Sequence, residues 1–359
     1  MRAVSATRPP AGRAGAPTRS GPRVAKLPPG ASRRPAEPDP EPLPTEPGYL
    51  AIDLGPRRLA AAVVNADGDV LVRDRVATPP RNVWPVVRQL VGRVLAANGS
   101  RATPGGDVML VEPVYCGVTA PGPFDRAAGT IRPVGMPVWR DFPLRDELGE
   151  LTGLPVAVET SGRALALAEQ WLGEAAQVPS VEQEFATLVL GDDVDGAVVA
   201  GGRLLDGRTG NVGQFGHLIV EPEGQSCECG AIGCLTVYAG VRGVETSTGR
   251  DLRRTPPAIV ERTGIMVARA CASIAAMLDI TDIVIGGVVP SVMGQPFFDA
   301  LATELEHRSR LGHLQDLRVR GLGPAGIGPL ASAAAVAYRA HRRDEARQRA
   351  DTPTEPARN

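Results

Sequence analysis

A chain of 359 residues, 43% of them hydrophobic, with 39 basic against 40 acidic side chains, is long enough for one large or two medium cores and has no net positive charge with which to attract nucleic acid. It contains no apolar run near the roughly 20 residues a membrane helix needs, and its start, MRAVSATRPP, lacks the apolar core of a secretory signal. The expected location is therefore the cytoplasm, where thiols stay reduced, so the five cysteines are read as metal ligands or buried side chains rather than as disulfides.

Residues 1–47 are crowded with Pro, Ala, Gly and Arg and contain no aromatic side chain. Such a segment buries too little apolar surface to offset its chain entropy and is expected to be a disordered leader. Its first part is basic, from Arg2 to Arg34, but no helix-turn-helix pattern occurs in it, which argues against a nucleic-acid arm. Ordered elements are predicted from YLAIDLG (49–55) onward. LAAAVVNADGDVLVRD (59–74) reads as two strands joined at Asp67-Gly68, 83–98 has helical spacing, and VMLVEPVYCGVTAPGP (108–123) reads as strand running into a turn. A helix at 143–152, the strand PVAVE (155–159) and a helix at 162–173 follow, and FATLVLGDDVDGAVVAGGRLL (185–205) repeats the opening theme of strand, polar loop and strand. A long helix over 256–280, the strand DIVIGG (282–287), a helix at 296–309, the strand LRVRGL (317–322) and an Ala-rich helix at 328–342 complete the series. Two halves that open alike predict an α/β protein with a duplicated core. The expected boundaries are a first lobe over 48–154, a second over 155–342 whose last helix packs back on the first, and a charged tail over 343–359.

The stretch GHLIVEPEGQSCECGAIGC (216–234) holds His217, Cys227, Cys229 and Cys234. Three thiolates and an imidazole are the ligand set of a closed tetrahedral zinc site, and Gly230 and Gly233 permit the tight turns needed to wrap a small ion. Because protein would fill all four positions, such a zinc would be structural. Reduced cysteines in a Gly-rich loop without metal are the competing reading.

This signature, together with YLAIDLG, VTAPGPF (118–124), WRDFPL (139–144), TGLPVAVE (152–159), GGRLLDGRTGNVGQFGH (201–217) and IVIGG (283–287), resembles the ROK family of repressors, open reading frames and sugar kinases. The resemblance covers residues 49 to about 338. It implies a duplicated actin-like, hexokinase-like ATPase fold, two lobes around a cleft, with a structural zinc loop at His217, Cys227, Cys229 and Cys234. It also implies a homo-oligomer such as a dimer.

Residue by residue, the chain departs from the family's kinases. Where they carry an Asn-Asp pair whose Asp takes the proton from the sugar, VETSGRALALAE places Thr160 and Ser161, and a serine hydroxyl is a poor base at neutral pH. Glu159 is adjacent, but one step along a strand points to the other face. The first phosphate loop keeps Asp53 and Gly55 and then has Pro56, which offers no N–H, and the cation Arg57. The second phosphate loop, LGDDVDGAVV, sets Asp192, Asp193 and Asp195 where family members carry glycines. A carboxylate about 4 Å from a phosphate charge is repelled by roughly 4 kcal/mol at an effective dielectric of 20. The spacing does not fit an EF-hand, which leaves a solvated loop or an Mg²⁺ site. In the sugar pocket Gln214 and Thr236 replace two glutamates while His217 is kept, so charge-assisted contacts are lost. Gly286 and Gly287 stand at the adenosine end.

These departures argue against ATP and Mg²⁺ as ligands. They lead to the expectation of a non-catalytic family member, with no catalytic residue, that binds a sugar, a small metabolite or a protein partner, without membrane or nucleic acid. The alternatives are an ATP-dependent sugar kinase of glucose type and a transcription regulator lacking its own winged-helix domain.

Overall fold

Two sheets, each opened by an antiparallel hairpin and extended by parallel strands, organise the chain in a computed structural model that describes residues 43–97, 99–102, 108–133, 136–322 and 327–351. Residues 1–42 and 352–359, which hold most of the two expected tails, lie outside the described residues.

The first sheet contains β1 (Thr45–Leu54), β2 (Arg58–Asn65) and β3 (Val70–Ala77). After α1 (Val83–Ala96) come β4 (Ser100–Ala102) and β5 (Val108–Thr119). A small hairpin, β6 (Phe124–Asp125) with β7 (Thr130–Ile131), and α2 (Leu144–Thr152) lead to β8 (Val156–Glu159). The strand order is β3-β2-β1-β5, with β4 and β8 both pairing with β5. Then α3 (Ser161–Leu172) crosses to the second sheet, built from β9 (Phe185–Leu190), β10 (Val194–Ala200) and β11 (Arg203–Leu204). Two short helices, α4 (Thr236–Ala239) and α5 (Val241–Thr248), precede α6 (Pro257–Leu278), β12 (Asp282–Gly286), α7 (Val288–Met293), α8 (Gln295–Arg308), β13 (Arg318–Gly321) and α9 (Pro329–Asp351). The second sheet runs β11-β10-β9-β12-β13, antiparallel within the hairpins and parallel at β9-β12-β13, so it repeats the plan of the first.

Periodicity explains the layers. Strand β2 reads LAAAVV and is buried on both faces, because α1 covers one side and α9 the other. The face of α9 toward the sheet is alanine, with Ala333, Ala334 and Ala337 buried, and Gly117 of β5 lets the helix come in close: a Cβ there would lie 2.0 Å from the carbonyl of Ala333. Helix α3 packs between α9 and the β9-β10 hairpin through Ala164, Leu167 and Ala168 on one side and Ala166 on the other. The largest core lies beyond the second sheet, where α6 and α8 cover Leu188, Ile283 and Ile285.

Three boundaries differ from the expectation. Strand β1 begins at Thr45, inside the segment read as tail, because Thr45 to Pro47 pair with Leu110 to Glu112 of β5. Strand β8 pairs with β5, so the first sheet reaches past residue 154. The last helix continues to Asp351, through residues read as a charged tail, with Glu345 paired to Arg342 at 2.9 Å across one turn.

Candidate functional site

The open ends of β1, β5, β9 and β12 surround a cleft of about 940 Å³ between the two sheets. It is lined by Asp53, Gly55, Ser161, Asp192, Asp193, Asp195, Gln214, His217, Cys227, Cys229, Thr236, Gly286 and Gly287, so nearly all the residues singled out from sequence converge there. Thr160 does not line it: the residue is buried, with its hydroxyl at the Asp195 carboxyl.

At the phosphate-loop end, the Asp53 carboxylate accepts a 2.7 Å hydrogen bond from Thr119, and burial pushes its pKa up against the pull of Thr119 and Arg58. The β1-β2 turn is closed by the Gly55 amide donating to the Arg58 carbonyl at 2.9 Å. Arg57 does not point freely at a phosphate. It reaches the second sheet, where it pairs with Asp192 of the β9-β10 turn and with Glu245 of α5 at 2.7 Å. Its guanidinium holds Glu245 below the usual carboxylate range, while burial pushes Asp192 up against the same cation. Arg242 of α5 pairs with Asp193 and, at 3.0 Å, with Glu228.

Asp195 turns away from that cluster. One oxygen, Oδ2, accepts the Gly162 amide at 2.9 Å in the first turn of α3, a helix whose own N-cap, Thr160, makes no side-chain cap. The other, Oδ1, is shielded from solvent. Burial pushes the carboxyl up, against the Thr160 hydroxyl and the Gly162 and Gly196 amides. Glu159 is neutralised: Arg163, with a side chain only 1% exposed, holds it at 2.7 Å and Arg126 at 2.9 Å.

At the opposite end, Gly122 lies against Gln214 and Thr160, since a Cβ there would fall 3.2 Å from Gln214 Nε2 and 3.1 Å from Thr160 Cγ2. Asn211 ties the two walls together, donating to the Phe124 carbonyl and accepting its amide, each at 3.1 Å. Thr236, read as a sugar contact, accepts the Val194 amide at 3.1 Å and so also holds the β9-β10 turn.

The loop 217–234 brings the ligand atoms of His217, Cys227, Cys229 and Cys234 within 4.8 Å of one another. Cys229 and Cys234 sulfurs are 3.7 Å apart, and Cys227 Sγ is 3.8 Å from His217 Nδ1. A tetrahedron with bonds of about 2.3 Å has edges of about 3.8 Å, so the donor set fits zinc. Short bridges from Ile219 to Cys234 and from Ser226 to Ile232 fold the loop on itself. Cys116 and Cys271 are buried elsewhere.

Sequence reasoning missed Arg242 and Glu245, and it named Arg57 only as a cation in the first phosphate loop. Arg57 and Glu245 are 188 residues apart and Arg242 and Asp193 are 49 apart, separations no local pattern exposes. The carboxylate repulsion expected of Asp192 and Asp193 is countered by arginines on both.

The ROK family model matches residues 49–309. The glucokinase of Thermotoga maritima is 31% identical over 199 residues, which is 54% of this chain and 58% of that protein. The chain thus spans little more than half the length of that relative. The N-acetylmannosamine kinase of Escherichia coli O157:H7 is 29% identical over 255 residues, 67% of this chain and 82% of that protein. The solved ROK hexokinase from Thermus thermophilus superposes with a TM-score of 0.66 at 28% identity, covering 82% of this chain and 99% of that one. Kinase relatives of this kind overturn the expectation of a non-catalytic chain, and arginines pair with two of the acids that had argued for it. The duplicated sheets and the cleft between them are the actin-like, hexokinase-like ATPase fold, and with the match over 49–309 they identify this chain as a member of the ROK family.

Proposed function

We propose that the protein is an ATP-dependent sugar kinase that transfers the γ-phosphoryl group to a hydroxyl of a hexose or N-acetylhexosamine. The observation that carries this reading is the phosphate end of the cleft, where Arg57 and Arg242 offset Asp192 and Asp193. A triphosphate approaching the β1-β2 and β9-β10 turns would meet paired charge rather than a bare anionic loop. The glucokinase and N-acetylmannosamine kinase names of the relatives support the substrate class.

In this reading the phosphates lie between the turns at Gly55 and Gly191, with the adenosine toward Gly286 and Gly287. Asp53, oriented by Thr119, would hold the Mg²⁺ that accompanies ATP. Gln214 and His217 would hydrogen-bond the sugar. Phosphoryl transfer asks little covalent chemistry of the protein, so positioning the two substrates in line supplies most of the rate. His217, Cys227, Cys229 and Cys234 would hold a structural zinc that stiffens the sugar side of the cleft. The cytoplasm, the proposed location, supplies ATP and keeps those thiols reduced.

The test is ADP release from ATP and Mg²⁺ with glucose, mannose, N-acetylglucosamine and N-acetylmannosamine in turn. Turnover of about 1–100 s⁻¹ with at least one sugar is expected. ADP release that no sugar raises above the sugar-free rate overturns the reading.

A second outcome concerns Arg57. Arg57→Ala leaves Asp192 and Glu245 without that cation beside the phosphates, and the KM for ATP is expected to rise about tenfold, or roughly 1.4 kcal/mol, with the sugar KM unchanged. An unchanged KM for ATP would show that this counter-charge is irrelevant to nucleotide binding.

A further inference from the structure

A phosphoryl group in transfer spreads its charge over its outer oxygens, and a kinase cleft needs donors aimed at them. Loops that cradle phosphate commonly use successive backbone amides. The β1-β2 turn is poor in them: the Gly55 amide is spent on the Arg58 carbonyl at 2.9 Å, and Pro56 has no N–H. A side chain is left to supply what the turn lacks. Two arginines line the cleft, Arg58 and Arg242, and no lysine does. Arg242 is committed to Asp193 and, at 3.0 Å, to Glu228. Arg57, the other arginine of the turn, is committed to Asp192 and Glu245. Arg58 has no such commitment. It is exposed, it makes no ion pair or side-chain hydrogen bond among the described residues, and its charge bears on Asp53 without a hydrogen bond to it. On an open surface an unpaired arginine would need no explanation. In the cleft wall, beside the carboxylate placed to hold Mg²⁺, it is a cation facing the space assigned to the phosphates.

Resting on the kinase reading, we propose that Arg58 is a catalytic residue whose guanidinium binds the β- and γ-phosphoryl oxygens of ATP and stabilises the charge that grows on them during transfer. In that step the sugar oxygen bonds the γ-phosphorus, the β–γ bridging oxygen leaves with the bonding pair as ADP, and the hydroxyl proton passes to solvent. Arg58 itself makes and breaks no covalent bond. Its planar fork can donate two parallel N–H bonds to neighbouring oxygens, a geometry an ammonium does not reproduce. The two arginines of the turn thus divide the work: Arg57 neutralises acids of the second sheet, and Arg58 is left for the substrate.

The experiment compares the wild type, Arg58→Ala and Arg58→Lys with the same sugar panel, ATP and Mg²⁺, and repeats the first two with guanidinium added well below denaturing concentration. Alanine is expected to lower kcat about 10²- to 10³-fold with the sugar KM within about threefold. Lysine is expected to keep part of the lost rate, and guanidinium to restore at least about fivefold to the alanine variant and nothing to the wild type, a recovery that a merely structural role would not show. Arg57→Ala, expected to act through the KM for ATP, separates this effect from a general loss of charge in the turn. Should Arg58→Ala not fold, Arg58→Gln, which keeps hydrogen-bonding capacity without the charge, carries the same expected loss. A folded Arg58→Ala or Arg58→Gln enzyme whose kcat lies within about threefold of an active wild type overturns this proposal alone, as does a loss that neither lysine nor guanidinium relieves. A wild type that turns over none of the sugars overturns the kinase reading, and this proposal with it.

Discussion

Cys229→Ser protein is expected to carry well under one zinc per chain and to melt about 8 °C below the wild type. Structural zinc contributes on the order of 10–16 kcal/mol in small metal-folded peptides, and losing one of four ligands forfeits part of that. A loss of about 4 kcal/mol corresponds to about 8 °C in a domain of this size, at roughly 2 °C per kcal/mol. Cys229 is the right position to ask because it is exposed, so its replacement opens no cavity. The loop it closes carries Val220 and leads directly into Leu235 and Tyr238, all buried in the largest core, so loosening the loop spreads inward. His217 sits in both the ligand set and the cleft, and the sugar KM is expected to rise with the loss of metal. Metal analysis and calorimetry of the two proteins decide the matter; equal zinc content and equal melting would remove the metal from the account.

Gly162→Ala is expected to destabilise the protein by about 3 kcal/mol or more, although alanine is the better helix former. The added Cβ would meet Gly196 Cα, N and C at 2.2, 2.4 and 2.6 Å, all backbone atoms of β10 that have no side chain to swing aside. The helix must move off the strand, taking the Gly162 amide away from Asp195. Gly92, in the middle of α1, supplies the control: a Cβ there meets nothing within 4 Å, and Gly92→Ala is expected to be neutral or stabilising by up to about 1 kcal/mol. Denaturant melts of the pair separate close packing from helix propensity. A Gly162→Ala protein as stable as Gly92→Ala would show that the contact between α3 and β10 can give way.

Legibility followed separation along the chain. The cluster of His217, Cys227, Cys229 and Cys234 was readable because all four lie within 18 residues, and the strand, loop and strand at 49–74 and again at 185–205 announced a duplication that the two sheets bear out. The phosphate loop was misread because a carboxylate's meaning depends on its counter-ion. Asp192 and Asp193 looked repulsive only while Arg57 and Arg242 were out of view on other elements. Asp195 was grouped with them by adjacency, yet its carboxylate turns to α3 instead of joining the arginine pairs. Small elements escaped for a different reason. The pairs β4 with β5 and β6 with β7, and the short helices α4 and α5, are too brief for periodicity to declare and are fixed by their neighbours.

The alanine face of α9 has a consequence for how the molecule is made. The strands it covers, β1 and β5, are translated by residue 119, whereas α9 begins at residue 329, about 210 residues later. At roughly 5–20 residues per second, the nascent first sheet waits on the order of 10–40 s with one apolar face uncovered. Vectorial synthesis therefore cannot finish the first half of this protein before the second. A ribosome-bound chain halted before α9 should be far more sensitive to protease and more dependent on chaperones than its length suggests.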